Sequence, residues 1–244
     1  MIRLNGLAEL PDCGRRILRC LCFACCAALL ASCDNYSERG ETALRIGDFD
    51  RAVTNFSKAL DASPADRDAR YGLALAYFGN AEALEKIGQH SVPLWEKTEA
   101  EFRILKKVDN SRKADAMHST CLFYLARALV AQDSGARVLG ILDESIGLDS
   151  TNYYSYNLKA LILESLGSDK EAQDIFVFIL TKNPKFVPAY SNLGNLYWEQ
   201  GRIGDAWDIW SMGEAKFPDN RHLAYWTKIA EDSLKAAALS EGAK

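Results

Sequence analysis

Cysteine and histidine are the residue types best suited to hold a metal or to act as nucleophile and base, and the cysteines of this chain are unevenly placed. Six of the seven lie within the first 33 residues, four of them being Cys20, Cys22, Cys25 and Cys26. The residues between and directly after these four are leucine, phenylalanine and alanine, which provide no polar groups to orient a metal ligand. A metal or disulfide site is therefore the weaker interpretation of this cluster.

The remaining candidates for chemistry are too dispersed to form a recognisable catalytic centre. His90, His118 and His222 are far apart in sequence, and the latter two are expected to be solvated residues at helix starts. The chain contains no Gly-rich phosphate loop, no His-Glu-x-x-His and no Gly-x-Ser-x-Gly. Nothing in the sequence brings Glu164 and Glu199 together as a carboxylate pair. We therefore predict no catalytic residue, no metal and no cofactor.

Composition and charge exclude further classes. The 244 residues are 48% hydrophobic and 25% charged, which is typical of globular proteins and too apolar for a disordered chain. The formal net charge is -4, with 29 basic and 33 acidic residues. A nucleic-acid binder must neutralise many phosphates, so nucleic acid is not an expected partner.

The cysteine-rich N-terminus has the pattern of an export signal. Residues 17–30 form an apolar run of 14 residues, and Arg15, Arg16 and Arg19 provide positive charge at or just before its start. A run of this length is too short to span a bilayer comfortably. The pattern is therefore typical of the apolar core of a signal peptide.

The residues that follow this run, Leu30-Ala31-Ser32-Cys33, resemble the lipobox of bacterial lipoproteins. The resemblance implies that residues 1–32 are removed and that Cys33 is acylated, which anchors the protein to a membrane facing the periplasm. Asp34 resembles the residue that retains lipoproteins in the inner membrane of enteric bacteria, so this membrane is somewhat favoured. A chance match within a plain signal anchor is the alternative.

Beyond Cys33 the sequence repeats with a period of 34 residues, which indicates stacked supersecondary units. Three pairs share this separation: Gly167 and Gly201, Ala172 and Ala206, and Pro184 and Pro218.

The last complete repeat resembles the tetratricopeptide repeat (TPR) through Tyr190-x2-Leu193-Gly194-x2-Tyr197, followed by Ala206-x3-Trp210 and Pro218. The resemblance implies an all-α fold, a right-handed superhelix of helix-turn-helix repeats. In each repeat, small residues of helices A and B let the two helices approach closely. These small residues are Gly40, Ala160 and Gly194 in A helices, and Ala52, Ala172 and Ala206 in B helices.

The repeats divide the chain into seven segments. Pro64 and Pro184 are 120 residues apart, which is three periods plus 18, so an insertion of 18 residues lies between them. The predicted segments are the signal peptide at 1–32, repeats at 33–66, 67–118, 119–152, 153–186 and 187–220, and a capping helix and tail at 221–244.

The insertion is assigned to the second repeat, and the third is degenerate. In the second repeat we expect a lengthened helix A, a break near Ser91 to Pro93, and a long helix B carrying Trp95, Phe102 and Leu105.

The A helices of this family line a concave surface, so the resemblance also assigns a groove for a peptide or protein. Asn192 and Asn195 are three residues apart and share one helix face, where amides can donate to and accept from an extended backbone. Simple solvation of both asparagines is an equally open alternative. The assigned groove residues are Phe123, Tyr124, Arg127, Tyr154, Asn157, Asn192, Asn195, Trp198 and Tyr225.

The leading hypothesis from the sequence is a lipid-anchored periplasmic scaffold or adaptor. It would bind a segment of another cell-envelope protein and support complex assembly, without catalysis. The alternative is an envelope enzyme, or a subunit that regulates one, with no recognisable catalytic motif. A cytosolic chaperone adaptor is disfavoured by residues 1–33.

Overall fold

A computed structural model describes residues 36–132 and 135–242, and every regular element in those ranges is an α-helix. The segment 1–32, Cys33 and Asp34 lie outside the described residues. The helices are α1 (36–45), α2 (Phe49–Ala62), α3 (Arg67–Lys86), α4 (Val92–Lys106), α5 (Arg112–Leu129), α6 (Gly135–Leu148), α7 (Tyr153–Ser165), α8 (Asp169–Lys182), α9 (Val187–Glu199), α10 (Ile203–Lys216) and α11 (Arg221–Gly242).

The chain forms two compact units that divide after Asn110. The N-terminal unit contains α1 to α4, and the C-terminal unit contains α5 to α11. The all-α fold predicted from the sequence is confirmed for the described residues. None of the helices there is both long enough and apolar enough to cross a membrane.

The interior of the N-terminal unit is built around Phe56 on α2. Its ring fills the space beside Gly40 on α1 and Gly72 on α3, where an added Cβ would lie 2.8 and 2.3 Å from ring atoms. Phe56 is 1% exposed as a result. Glycine is therefore the residue that these two contacts require, as expected for Gly40.

The second repeat contains the expected lengthened helix, but its break lies at 87–91, before the expected Ser91 to Pro93, because Val92 and Pro93 already belong to α4. Helix α3 has 20 residues, and the chain leaves helical geometry after Lys86 and resumes it at Val92. Trp95, Phe102 and Leu105 of α4 are fully buried. The Trp95 indole donates to Glu85 Oε1 at 2.8 Å, linking α4 to α3.

Two further details of this prediction were wrong. Helix α4 has 15 residues, close to the 14 of α2, so helix B is not lengthened. Residue 119, the expected start of the third repeat, lies inside α5, which begins at Arg112. The start is set by Ser111, whose hydroxyl accepts a hydrogen bond from the backbone N–H of Ala114 at 3.2 Å. Most of the inserted residues thus lengthen α3 and α5.

The early start of α5 also changes the environment of His118. This residue was expected at a helix start in solvent, but it lies within α5 and is 4% exposed. Cys121, one turn further on, is fully buried, as expected for a small apolar side chain. His222 is exposed at the start of α11, as predicted.

The fourth and fifth repeats pack through the small residues that the sequence identified. Gly194 on α9 faces Trp210 on α10 so closely that a Cβ would lie 2.2 Å from the indole Nε1. Ala172 and Ala206 are fully buried. Gly201 lies in the turn that follows α9 and adopts φ +72°. Glycine accepts this left-handed conformation without strain.

The third repeat contains a buried polar cluster within an otherwise mainly apolar interior. The Ser145 hydroxyl on α6 donates to the Ser119 backbone carbonyl at 2.7 Å, and it shares hydrogen bonds with the hydroxyls of Ser119 and Ser155 at 2.9 and 2.7 Å. Asn152 adds a bond from Nδ2 to Ser119 Oγ at 2.9 Å. All three serines are fully buried, so these bonds satisfy groups that water cannot reach.

The C-terminal helix covers the last repeat, as predicted for a capping helix. Leu223 and Ala230 of α11 are fully buried, whereas Leu234 is partly exposed and Leu239 is exposed. The helix continues to Gly242, within the predicted segment 221–244.

Candidate binding surface of the C-terminal unit

The residues assigned to the groove lie on four helices of the C-terminal unit. Helix α5 packs against α7, α7 against α9, and α9 against α11. We call the surface formed by Phe123, Tyr124, Arg127, Tyr154, Asn157, Leu161, Asn192 and Asn195 the A-helix face.

Aromatic side chains form the end of the A-helix face on α5 and α7. Phe123 lies 5.8 Å from Tyr154 and 5.3 Å from Tyr124 between ring centroids. The Arg127 guanidinium lies over the Tyr124 ring at 4.6 Å, a cation–π contact. Tyr154 is 60% exposed even though its ring also contacts Phe186. This end therefore offers an apolar surface beside a positive charge, which the Tyr124 ring keeps in place.

Amides form the middle of the A-helix face. Asn192 Nδ2 on α9 donates to Asn157 Oδ1 on α7 at 2.8 Å. This bond uses one of two amide hydrogens of Asn192, so its second hydrogen and its carbonyl oxygen can serve a ligand. Asn195, one turn along α9, is half-buried on the same side.

A depression of about 260 Å³ lies beside these amides, between α7 and α9. We call it the Glu164 pocket. Its lining groups are carboxylates, amides, a hydroxyl and one aliphatic side chain, contributed by Leu161, Glu164, Ser165, Asn192, Asn195 and Glu199.

The carboxylates of the Glu164 pocket are electrostatically linked. Burial raises the pKa of Glu164 above its ordinary value, and the negative charges of Glu199 and Asp169 raise it further. Each of these causes disfavours the ionised form. The pocket therefore has a surplus of negative charge in the free protein.

Glu164 and Glu199 line the same pocket, so the expectation that they would not form a pair was wrong. They are separated by 35 residues, as are Asn157 and Asn192, which form the amide bond. A separation of one period plus one residue therefore joins side chains on neighbouring A helices of these repeats. Applied systematically, this spacing would have identified the carboxylate pair.

The two remaining groove residues are placed differently from the others. Trp198 packs with Trp210 and Trp226 at centroid distances of 5.9 and 6.0 Å, so much of its ring contributes to the interior. Tyr225 on α11 is 60% exposed and contacts Trp226 at 5.4 Å.

Sequence comparisons identify the same repeat. Residues 37–86 match the family model described as Tetratricopeptide repeat. The chain is 27% identical over 209 residues to Tetratricopeptide repeat protein 6 of Homo sapiens, covering 78% of this chain and 40% of that protein. It is 26% identical over 172 residues to TPR repeat-containing protein MJ1428 of Methanocaldococcus jannaschii, covering 70% and 29%. The chain thus spans less than half the length of these relatives.

Solved structures show the same fold. A crystal structure of MamA protein superposes with a TM-score of 0.55 at 21% identity, covering 78% of this chain and 96% of that one. A crystal structure of YrrB, titled as a TPR protein with an unusual peptide-binding site, gives a TM-score of 0.54 at 16% identity, covering 79% and 90%. The chain therefore has the fold of tetratricopeptide repeat proteins, and residues 37–86 carry the sequence of that repeat family.

Proposed function

We propose that this protein is a non-catalytic scaffold whose A-helix face binds an extended segment of another protein. The observation that carries the proposal is the bond between Asn157 and Asn192, which fixes two amides beside the Glu164 pocket. An extended peptide exposes both N–H and C=O groups, and a carboxamide can satisfy either. The fixed amides therefore match the needs of a peptide backbone.

The aromatic end of the A-helix face supports the same proposal. Exposed Tyr154, beside Phe123, gives a rigid apolar contact next to the hydrogen-bonding groups. Interfaces obtain much of their energy from such aromatic anchors, while polar groups fix the register. YrrB, whose title names a peptide-binding site, has the same fold and adds support at the level of architecture.

We further propose that the protein is anchored by acylated Cys33 and faces the periplasm, and that its partner is a cell-envelope protein. The support is the sequence alone: a positive segment, an apolar run and Leu30-Ala31-Ser32-Cys33. Mass spectrometry of the membrane fraction tests the anchor. Acylated Cys33 at the N-terminus supports it, and an unmodified Cys33 in the mature chain refutes it.

Crosslinking and pull-down from envelopes of the source organism test the binding proposal. The wild-type chain should capture a partner that the double variant Asn192→Ala with Asn195→Ala captures much less. The control is Glu171→Ala with Asp208→Ala, two exposed positions on B helices α8 and α10. Equal capture by all three chains would refute the A-helix face as the binding surface.

A further inference from the structure

We propose that the Glu164 pocket binds the side chain of a lysine or arginine in the partner segment. This inference rests on the proposed function, because it assumes that a segment lies on the A-helix face, and it specifies the chemistry of that segment.

Three carboxylates concentrate negative charge at the Glu164 pocket. Glu164 on α7 and Glu199 on α9 line one depression, and Asp169 at the start of α8 adds a third carboxylate nearby. Glu164 is half-buried, so its charge is poorly screened by water. A cation entering the pocket would interact favourably with all three groups and remove the repulsion between them.

Three basic side chains near the pocket in sequence are engaged with other groups. Lys159 on α7 donates to Asp143 at 2.5 Å, and Lys170 on α8 donates to Asp174 at 2.6 Å. Arg202, which follows α9, donates to Asp205 at 2.7 Å and lies over the Tyr197 ring at 4.1 Å. In this structure these three cations lie against other groups, so a basic side chain of a ligand would not have to displace them from the pocket.

The other groups that line the pocket fit the whole side chain of a lysine or arginine. Lysine and arginine carry a charged head on an aliphatic stem. Leu161 gives the stem an apolar contact, since it is 36% exposed at the pocket. The carbonyl oxygens of Asn192 and Asn195 can accept hydrogen bonds from an ammonium or guanidinium head, neither of which can accept any.

A displayed library of random dodecapeptides, panned against the full chain in detergent, tests the inference. The wild-type chain should enrich peptides with lysine or arginine at one fixed position. The double variant Glu164→Gln with Glu199→Gln should still enrich peptides but lose this preference. The control variant Glu171→Gln with Asp208→Asn, which removes two charges from exposed B-helix positions, should retain it.

The outcomes separate the inference from the proposed function. Enriched peptides without a shared basic position, or a basic preference that persists in Glu164→Gln with Glu199→Gln, would overturn the inference while leaving peptide binding intact. Failure to enrich any peptide on the wild-type chain would overturn the proposed function, and the inference with it.

A pair of synthetic peptides gives the quantitative test. An enriched peptide should bind the wild-type chain about tenfold more tightly than the same peptide with norleucine replacing the basic residue, a difference typical of charge-assisted hydrogen bonds. The advantage should fall as pH is lowered through the pKa of Glu164, above the 4.5 of an ordinary glutamate. Equal affinity of the two peptides at neutral pH would contradict the inference.

Discussion

The third repeat and the two repeats after it differ in whether polar groups are included in their interiors. Helices α8 to α10 have an apolar interior, with Trp210 fully buried against Gly194, and the amide of Asn192 on α9 lies beside the carboxylates of the Glu164 pocket. Helices α5 and α6 also bury leucine side chains, but they add a cluster of buried hydroxyls that reaches Ser155 of α7, and they present aromatic rings with Arg127 on the A-helix face. The same helical pairing is therefore compatible with an apolar interior and with one that also contains hydrogen-bonded hydroxyls.

The comparison shows what each arrangement requires. An apolar interior depends on volume and close contact, and it tolerates neither a cavity nor an added methyl group. A buried hydroxyl cluster depends on every group having a hydrogen-bond partner. The surface is free to vary in both cases, which lets one fold present an aromatic patch beside a polar pocket.

The largest effect is expected from removing the side chain at the centre of the apolar interior. Trp210→Ala should lower the free energy of unfolding by about 3–5 kcal/mol, because it deletes a fully buried ring and leaves a cavity. Met212→Ala, at a half-exposed position on the same helix, should change it by less than about 0.5 kcal/mol. Urea denaturation followed by circular dichroism measures both, and similar values for the two variants would contradict the assigned packing.

The buried hydroxyl cluster of Ser119, Ser145 and Ser155 should give different stability changes for single and multiple substitutions. Ser145→Ala should cost about 1–3 kcal/mol, because it leaves the hydroxyls of Ser119 and Ser155 and the Ser119 carbonyl without this partner. The triple change of Ser119, Ser145 and Ser155 to alanine should cost less than the sum of the three single changes, because the unmatched hydroxyls are removed together. Additive costs, measured by the same denaturation, would show that the serines act independently.

The amides of the A-helix face should affect binding more than folding. Asn192→Ala with Asn195→Ala should weaken binding of the captured partner by about 1–3 kcal/mol, the scale of one or two lost hydrogen bonds. The melting temperature should move little, since both positions are only half-buried. Titration calorimetry beside a thermal melt separates the cases: unchanged affinity removes the amides from the site, and a collapsed melt makes them structural.

The smallest effect is expected from Glu164. Its pKa is raised in the folded state by burial and by Glu199, so its ionised form destabilises the fold at pH above that raised value. Glu164→Gln should therefore increase the free energy of unfolding at pH 7 by less than about 1 kcal/mol. The gain should vanish as pH falls below the unfolded-state pKa, where the wild-type carboxyl is protonated. A gain that grows with falling pH would contradict the sign of the shift.

Local periodicity predicted most of the fold. The 34-residue spacing located the regular repeats because glycine, alanine and proline recur where helices cross and end, and the structure confirms the contacts of Gly40 and Gly194. It failed at His118 and at the start of α5. Those positions depend on how an insertion is divided between two helices, which the Ser111 cap decides and the repeat pattern does not record.

The candidate site was predictable only in part. The A-helix positions of Tyr154 and Asn157 followed from the repeat, but the carboxylate pair of Glu164 and Glu199 did not. That pair forms because neighbouring A helices are offset by one residue beyond the period, a consequence of packing between repeats. The packing of Trp198 with Trp226 of the last helix was missed for the same reason.

Site-specific photocrosslinking tests the binding surface most directly. A benzoylphenylalanine replaces Tyr154, 60% exposed on the A-helix face, or Met212, 50% exposed on B helix α10, in cells of the source organism. If the A-helix face binds the partner, we expect a crosslinked adduct from position 154 and none from position 212. An adduct from position 212 alone, or equal yields from both positions, would contradict the assignment of the A-helix face as the partner-binding surface.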